Sequence, residues 1–228
     1  MDYSMHVIAH IRGQLPGKFG VPRQSGLVPE LESTVVFTPE YRNPEALRGL
    51  EGFSHLWLVW VFDRALRDTW SPTVRPPRLG GNRRMGVFAT RSPFRPNPIG
   101  LSCVELAGVG ASAEGPVLRL RGADLMDGTP ILDIKPYLPY ADCRPEALEG
   151  FAPAPGETLA VEIPPELLER VPPAHRDALA GVLAQDPRPR YQEDPKRVYG
   201  FGFAGLEVRF SVKGNHLTVV DIKEADRL

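Results

Sequence analysis

The chain has 228 residues, 42% hydrophobic and 24% charged, with a net charge of −1; that is the profile of an ordinary globular protein, and it excludes collagen-like and disordered classes. No apolar run approaches the roughly 20 residues that span a bilayer, so no membrane association is expected. Two cysteines, Cys103 and Cys143, form neither a CxxC pair nor a disulfide framework, and the five histidines lack metal-ligand spacing, so no metal site is expected.

The N-terminus, MDYSMHVIAHIRG, has no basic segment followed by an apolar core. It does not read as a signal peptide, and a cytoplasmic protein with reduced thiols is expected. Short apolar runs follow at close spacing: HVIAHIRG, STVVFTPEY, HLWLVWVF, GVFAT, LSCVELAGV, PVLRLRGADL and TPILDIKPY, separated by many of the 25 prolines and 22 glycines. Such punctuation favours a mainly β class. One helix is expected at NPEALRGLEG, with Asn43 as its cap and Pro44 in its first turn. Residues 1–142 are therefore expected to form an antiparallel β-barrel or sandwich domain.

Residues 143–162 change character, and EGFAPAPGET suits a linker; ETLAVEI within it reads as one further strand. Residues 163–228 are expected to form a small α+β domain. Its helical stretch, PPELLERVPPAHRDALAGVLAQ, is interrupted at Pro172-Pro173, and strands follow with a hairpin at Gly214-Asn215.

Four stretches carry concentrated polar chemistry. In GVFATRSPFRPNPIGLS, Pro93, Pro96 and Pro98 fix their own φ and restrain Ser92, Arg95 and Asn97. Between Ser92 and Pro98 only Phe94 keeps ordinary freedom. Arg91, Arg95 and Asn97 are thus donors at set angles, and ordering this loop on a ligand costs little entropy. The same residues also suit a rigid surface turn. In DLMDGTPILDIKPY, Asp127-Gly128 signals a turn; Asp133, Lys135 and Tyr137 alternate on one strand face, facing either a ligand or solvent. GKFGVPRQSG frames Arg23 and Gln24 after Pro22. In EGFSHLWLVW, Trp57 and Trp60 suit the core and His55 stands at the strand's mouth. LAGVGASAEG looks like a phosphate-binding glycine loop, but a strand pattern follows it instead of a helix, so no phosphate cradle is expected.

Charge is concentrated as well. Arg64 to Arg95 holds eight arginines (64, 67, 75, 78, 83, 84, 91 and 95), one acid, Asp68, and no lysine. Arginine binds phosphate bidentately and stacks on bases, so this run points to RNA, although a solvated loop has the same composition.

Together these four stretches resemble the TsaA-like family, whose best-known members are TrmO-type tRNA methyltransferases; AQDPRPRY (Ala184 to Tyr191) also resembles that family's C-terminal segment. The resemblance implies a β-barrel that binds S-adenosylmethionine without a Rossmann sheet. It implies methylation of N6 of threonylcarbamoyladenosine at tRNA position 37, beside the anticodon, and a homodimer with the cofactor near the subunit boundary. Carried onto this chain, the cofactor contacts are Pro22, Arg23, Gln24, His55, Leu56, Arg91, Leu101, Asp127, Gly128, Thr129 and Pro130. Arg95, Asn97, Lys135, Arg188, Arg190 and Tyr191 are the expected contacts to the tRNA anticodon stem-loop. A general base would help at the ureido nitrogen; Asp133, Asp127 and Tyr137 remain open as candidates. The chain departs from the family in the arginines between Arg75 and Arg84. Two other readings stand beside this one: a methyltransferase for another substrate, and a non-catalytic module that binds S-adenosylmethionine or RNA.

Overall fold

The computed structural model describes residues 3–152, 156–188, 194 and 196–225. Its first sheet contains β1 (Ala9–Gly13), β2 (Glu32–Phe37) and β3 (His55–Val61). A two-stranded ribbon, β4 (Thr73–Val74) with β5 (Met85–Gly86), follows. The first sheet continues with β6 (Ile99–Ser112), β7 (Gly115–Arg121) and β8 (Pro130–Pro136). Its order is β1-β2-β7-β6-β3-β8, every pairing is antiparallel, and β8 returns to β1 to close a barrel. Alternation along β3 sends Leu56, Leu58 and Trp60 inward, where they meet Ile11, Val35, Leu118 and Ile131.

A short helix, α1 (Pro139–Asp142), ends this region. β9 (Ala160–Glu162) then pairs in parallel with β12 (His216–Glu224), in a sheet of order β10-β11-β12-β9 that includes β10 (Tyr199–Phe203) and β11 (Leu206–Lys213). The strand read from ETLAVEI is thus present, and the stretch read as linker ends inside a sheet. α2 (Pro165–Leu168) and α3 (Arg176–Ala184) are separated by the two prolines, which leave only a 3-10 turn at Pro173–His175. The Gly214-Asn215 hairpin also forms, with Gly214 at φ 59°.

A second hydrophobic cluster lies under this sheet, and its members are not all late in the chain. Leu15, Val28 and Leu31, between β1 and β2, pack with Leu179, Val182, Phe201 and Phe210. Gln14 fixes the junction: its backbone carbonyl accepts from Ala204 at 2.7 Å and its side chain meets His175 Nδ1 at 2.7 Å.

Two local expectations are corrected. NPEALRGLEG forms 3-10 turns at Pro44–Leu47 and Leu50–Gly52 instead of a helix, because Gly49 enters the left-handed region at φ 86° and breaks the run; Asn43 does cap the first turn through Glu45 N–H at 3.0 Å. GVFAT is a 3-10 turn, Val87–Ala89, following β5. The glycine-rich stretch at 108–115 is the β6–β7 hairpin, as its strand pattern required.

Candidate functional site

A cleft of about 1140 Å³ opens beside the barrel. Its floor is the β3–β6 pair. Trp60 lies opposite Gly100 in the register, and a Cβ on Gly100 would stand 2.2 Å from the indole. Only glycine lets the ring lie flat across the neighbouring strand. Phe62 packs on Trp60 with ring centroids 4.2 Å apart, which extends the aromatic floor.

Three loops form the walls. The segment between β1 and β2 brings Pro22, Arg23 and Gln24. The stiff loop brings Arg91, Arg95 and Asn97, and Leu101 follows on β6. Within that loop Arg95 N–H donates to Pro93 O at 2.9 Å, Arg95 Nη1 donates to Thr90 O at 3.1 Å, and the Phe94 ring lies 3.5 Å beneath the Arg67 guanidinium. Arg91 also donates to the Gln24 side chain, which joins two of the walls. The third wall is the 124–129 turn, where Thr129 lines the cleft.

Asp127 and Gly128 build that third wall without lining it. Asp127 Oδ1 accepts from Gly13 N–H at 3.0 Å, Gly128 N–H donates to Ile11 O at 2.8 Å, and Gly128 sits at φ 82°. The Asp-Gly turn therefore clips the wall onto β1, and Pro130 begins β8 directly after it. His55 and Leu56 do not line the cleft either. His55 is exposed and meets Ser54 Oγ at 3.0 Å, whereas Leu56 is 0% exposed inside the barrel.

None of the three expected base candidates lines the cleft. Asp133 is half-buried and paired with the exposed Lys135 at 2.8 Å, so these two residues occupy the outward face of β8. Asp127 is engaged with Gly13. Tyr137 packs against His55 and Trp57, and partial desolvation followed by the neighbouring Cys143 pushes its phenol above the usual value. Arg188 forks onto Asp186 at 2.8 and 2.9 Å beside a smaller pocket of about 210 Å³, which shares Pro22 and Arg23 with the main cleft. Arg190 and Tyr191 lie outside the described residues.

The acids that do face the cleft are Asp63 and Asp124. Asp124 is held by a buried bridge: Trp60 Nε1 donates to Ser102 Oγ at 3.0 Å, and Ser102 Oγ donates to Asp124 Oδ1 at 2.6 Å. Burial pushes the Asp124 carboxyl above its ordinary value, opposed by the Ser102 hydrogen bond and by Arg91. Sequence reading passed over this residue. Its signal was an acid set between two apolar neighbours, Ala123 and Leu125, each 4% exposed. Arg64 and Arg67 were read only as part of a charge run; they too line the cleft, and Arg64 donates to the backbone oxygens of Pro16 and Asp127 at 2.8 and 3.1 Å.

The arrangement can hold a ligand that is both aromatic and charged. The floor accepts a flat ring, the arginines accept carboxylate or phosphate, and the Asp124 carboxylate accepts N–H or a proton.

Comparison with known proteins agrees with this geometry. The family model for the tRNA-methyltransferase O N-terminal domain matches residues 10–143, and that for the TrmO C-terminal domain matches residues 157–225. The chain is 45% identical over 220 residues to the tRNA (adenine(37)-N6)-methyltransferase of Escherichia coli K12, covering 92% of this chain and 94% of that one. It is 43% identical over 235 residues to a putative S-adenosylmethionine-dependent methyltransferase, RcsF, of Pseudomonas aeruginosa, covering 99% and 100%. The crystal structure of TrmO from Pseudomonas aeruginosa superposes with a TM-score of 0.80 at 37% identity, covering 98% and 99%.

Proposed function

Because the chain belongs to the tRNA-methyltransferase O family of S-adenosylmethionine-dependent tRNA (adenine-N6) methyltransferases, we propose that it methylates N6 of threonylcarbamoyladenosine at tRNA position 37. The observation that carries this reading is the convergence in one cleft of Pro22, Arg23, Gln24, Arg91, Leu101 and Thr129, from stretches well separated in sequence. The volume supports it too. Small-molecule sites run to roughly 300–1,000 Å³, and about 1140 Å³ suits a cofactor together with a nucleoside.

The donor set fits S-adenosylmethionine, which combines a carboxylate, cationic groups and an adenine. Arg91, coupled to Gln24, and Arg23 are suited to the carboxylate, and Trp60 with Phe62 offers a surface for a purine. When bound, S-adenosylmethionine supplies an electrophilic methyl group on a sulfonium. This chain's residues supply alignment and a proton sink. Alignment comes from proline-restrained donors whose ordering precedes binding. The proton sink is Asp124. With the cofactor in place, the Asp124 carboxylate, which faces the cleft, would take the proton that the acceptor nitrogen gives up. A carboxyl raised by burial holds that proton better than an ordinary one.

Arg95 and Asn97, at the cleft mouth, are assigned to the anticodon stem-loop; Arg188, beside the adjoining small pocket, belongs to the same reading, as does the DPRPRY stretch that includes Arg190 and Tyr191. A homodimer and a cytoplasmic location complete it, and sedimentation and cell fractionation test them. The decisive experiment is mass spectrometry of tRNA nucleosides from a deletion strain. The methylated threonylcarbamoyladenosine disappears and its unmethylated form accumulates; an unchanged nucleoside profile refutes the function.

A further inference from the structure

Among the described residues, seven of the twelve arginines outside the Arg64–Arg95 run are paired. Arg12, Arg42, Arg48, Arg121, Arg170, Arg188 and Arg209 each meet a carboxylate. Among the described residues, none of the eight arginines of the run takes part in an ion pair. Their hydrogen bonds go to neutral groups, such as Thr73 Oγ1 for Arg84 and Thr90 O for Arg95. A folded surface that leaves so many cations uncompensated is complementary to a polyanion.

Two large aromatic rings stand exposed on the same surface. Trp70 is 51% and Phe88 71% exposed, and they stack with centroids 6.3 Å apart and planes 28° apart. Their placement is built. The β4–β5 ribbon and the Val87 N–H···O Pro72 bond at 2.9 Å tie their two segments together. Val87, 1% exposed, anchors the turn that projects Phe88 outward. The Arg95 guanidinium lies 6.0 Å from the Phe88 ring and also lines the cleft, so the ring pair adjoins the cleft mouth.

We propose that Trp70 and Phe88 form a stacking platform for an unpaired base of the substrate RNA, beside the base that enters the cleft, while the neighbouring arginines take its phosphates. This rests on the tRNA reading above. Unpaired bases stack on aromatic faces irrespective of sequence, and single-stranded loops are where proteins find them. The charge argues for RNA over a second copy of the chain, since apposing two such faces sets unpaired arginines against each other.

The test uses the purified full chain and two RNA probes: a synthetic anticodon stem-loop, and a continuous duplex of the same length. Phe88→Ala and Trp70→Ala each weaken stem-loop binding about tenfold, the order expected for one lost base stack. Duplex affinity, cofactor affinity and melting temperature stay at wild-type values, and Phe88→Tyr and Trp70→Phe restore binding. Equal losses on stem-loop and duplex, or unchanged stem-loop binding, overturn the platform. So does a shift from dimer to monomer on sedimentation, which makes the rings a subunit contact. If the wild type itself fails to methylate tRNA, the functional reading fails; if it methylates while the variants bind as it does, only the platform fails.

Discussion

Replacing Ser102 with Ala removes a single oxygen from the bridge beneath the cleft, and its cost can be worked from two contacts. Ser102 is 1% exposed, so no water readily takes its place. Trp60 Nε1 loses its acceptor at 3.0 Å in a residue only 8% exposed; a buried donor left unsatisfied costs about 1–3 kcal/mol. For a chain of this size each 1 kcal/mol lowers the melting temperature by roughly 2–4 °C. Asp124 also loses its 2.6 Å donor, and this loss depends on pH. Burial already lifts the Asp124 carboxyl in the folded state above its unfolded value, and the Ser102 bond opposes that lift. A raised acid makes the folded state hold a proton that the unfolded chain releases. Stability from this group therefore falls as pH rises from the unfolded value through the folded one. Removing Ser102 raises the folded value further, so the deficit of Ser102→Ala relative to wild type grows with pH. Urea denaturation of wild type, Ser102→Ala, Asp124→Asn and the double variant, at roughly pH 5 and pH 8, measures both parts. A deficit below about 0.5 kcal/mol refutes the bridge, and one that is equal at both pH values, or equally pH-dependent in the Asp124→Asn background, refutes the proton linkage.

Asp124→Asn lowers kcat about 10²–10⁴-fold while calorimetric cofactor affinity stays near wild type; lost cofactor affinity with normal turnover at saturation contradicts its role as proton acceptor. Arg91→Ala weakens S-adenosylmethionine binding by about 1.5–3 kcal/mol, the worth of a charge-assisted contact, and an unchanged dissociation constant removes Arg91 from the cofactor site. Replacing Arg83 and Arg84 by Ala flattens the fall of tRNA affinity with added salt, whereas an identical slope means that both are merely solvated. Gly100→Ala, with its Cβ 2.2 Å from the indole of Trp60, destabilises by about 1–3 kcal/mol through overpacking and disturbs the cleft floor; a wild-type melt with wild-type cofactor affinity refutes that packing.

The strands were legible because alternation and turn residues are local. HLWLVWVF, the Asp127-Gly128 turn and the Gly214-Asn215 hairpin needed no tertiary information. NPEALRGLEG misled because cap and first-turn proline signal a start but not a length; Gly49 then ended the run in its left-handed conformation. The cleft was half legible. Proline restraint marked the stiff loop, and the resemblance drew in Pro22–Gln24 and Thr129. Asp133 and Lys135 were legible as a pair on one strand face but not as to which face, since strand alternation has no sign until the sheet closes. Asp124 was missed because its meaning depends on Ser102 and Trp60, which lie 22 and 42 residues from their bridge partners and meet only when β3 and β6 pair.

The segment between β1 and β2 belongs to two structures at once. Its apolar residues Leu15, Val28 and Leu31 complete the cluster under the second sheet, and Gly20, at φ 87°, lies so close to Phe201 that an added Cβ would stand 2.7 Å from the ring. Its residues Pro22, Arg23 and Gln24 wall the cleft. The C-terminal sheet is therefore a mould for part of the binding site and cannot be treated as a detachable appendage. Cutting it away leaves three apolar side chains bare and the wall without its backing. Conversely, a ligand gripped by that wall strengthens the C-terminal sheet by mass action, because occupancy and the docking of this segment are one equilibrium observed from two sides.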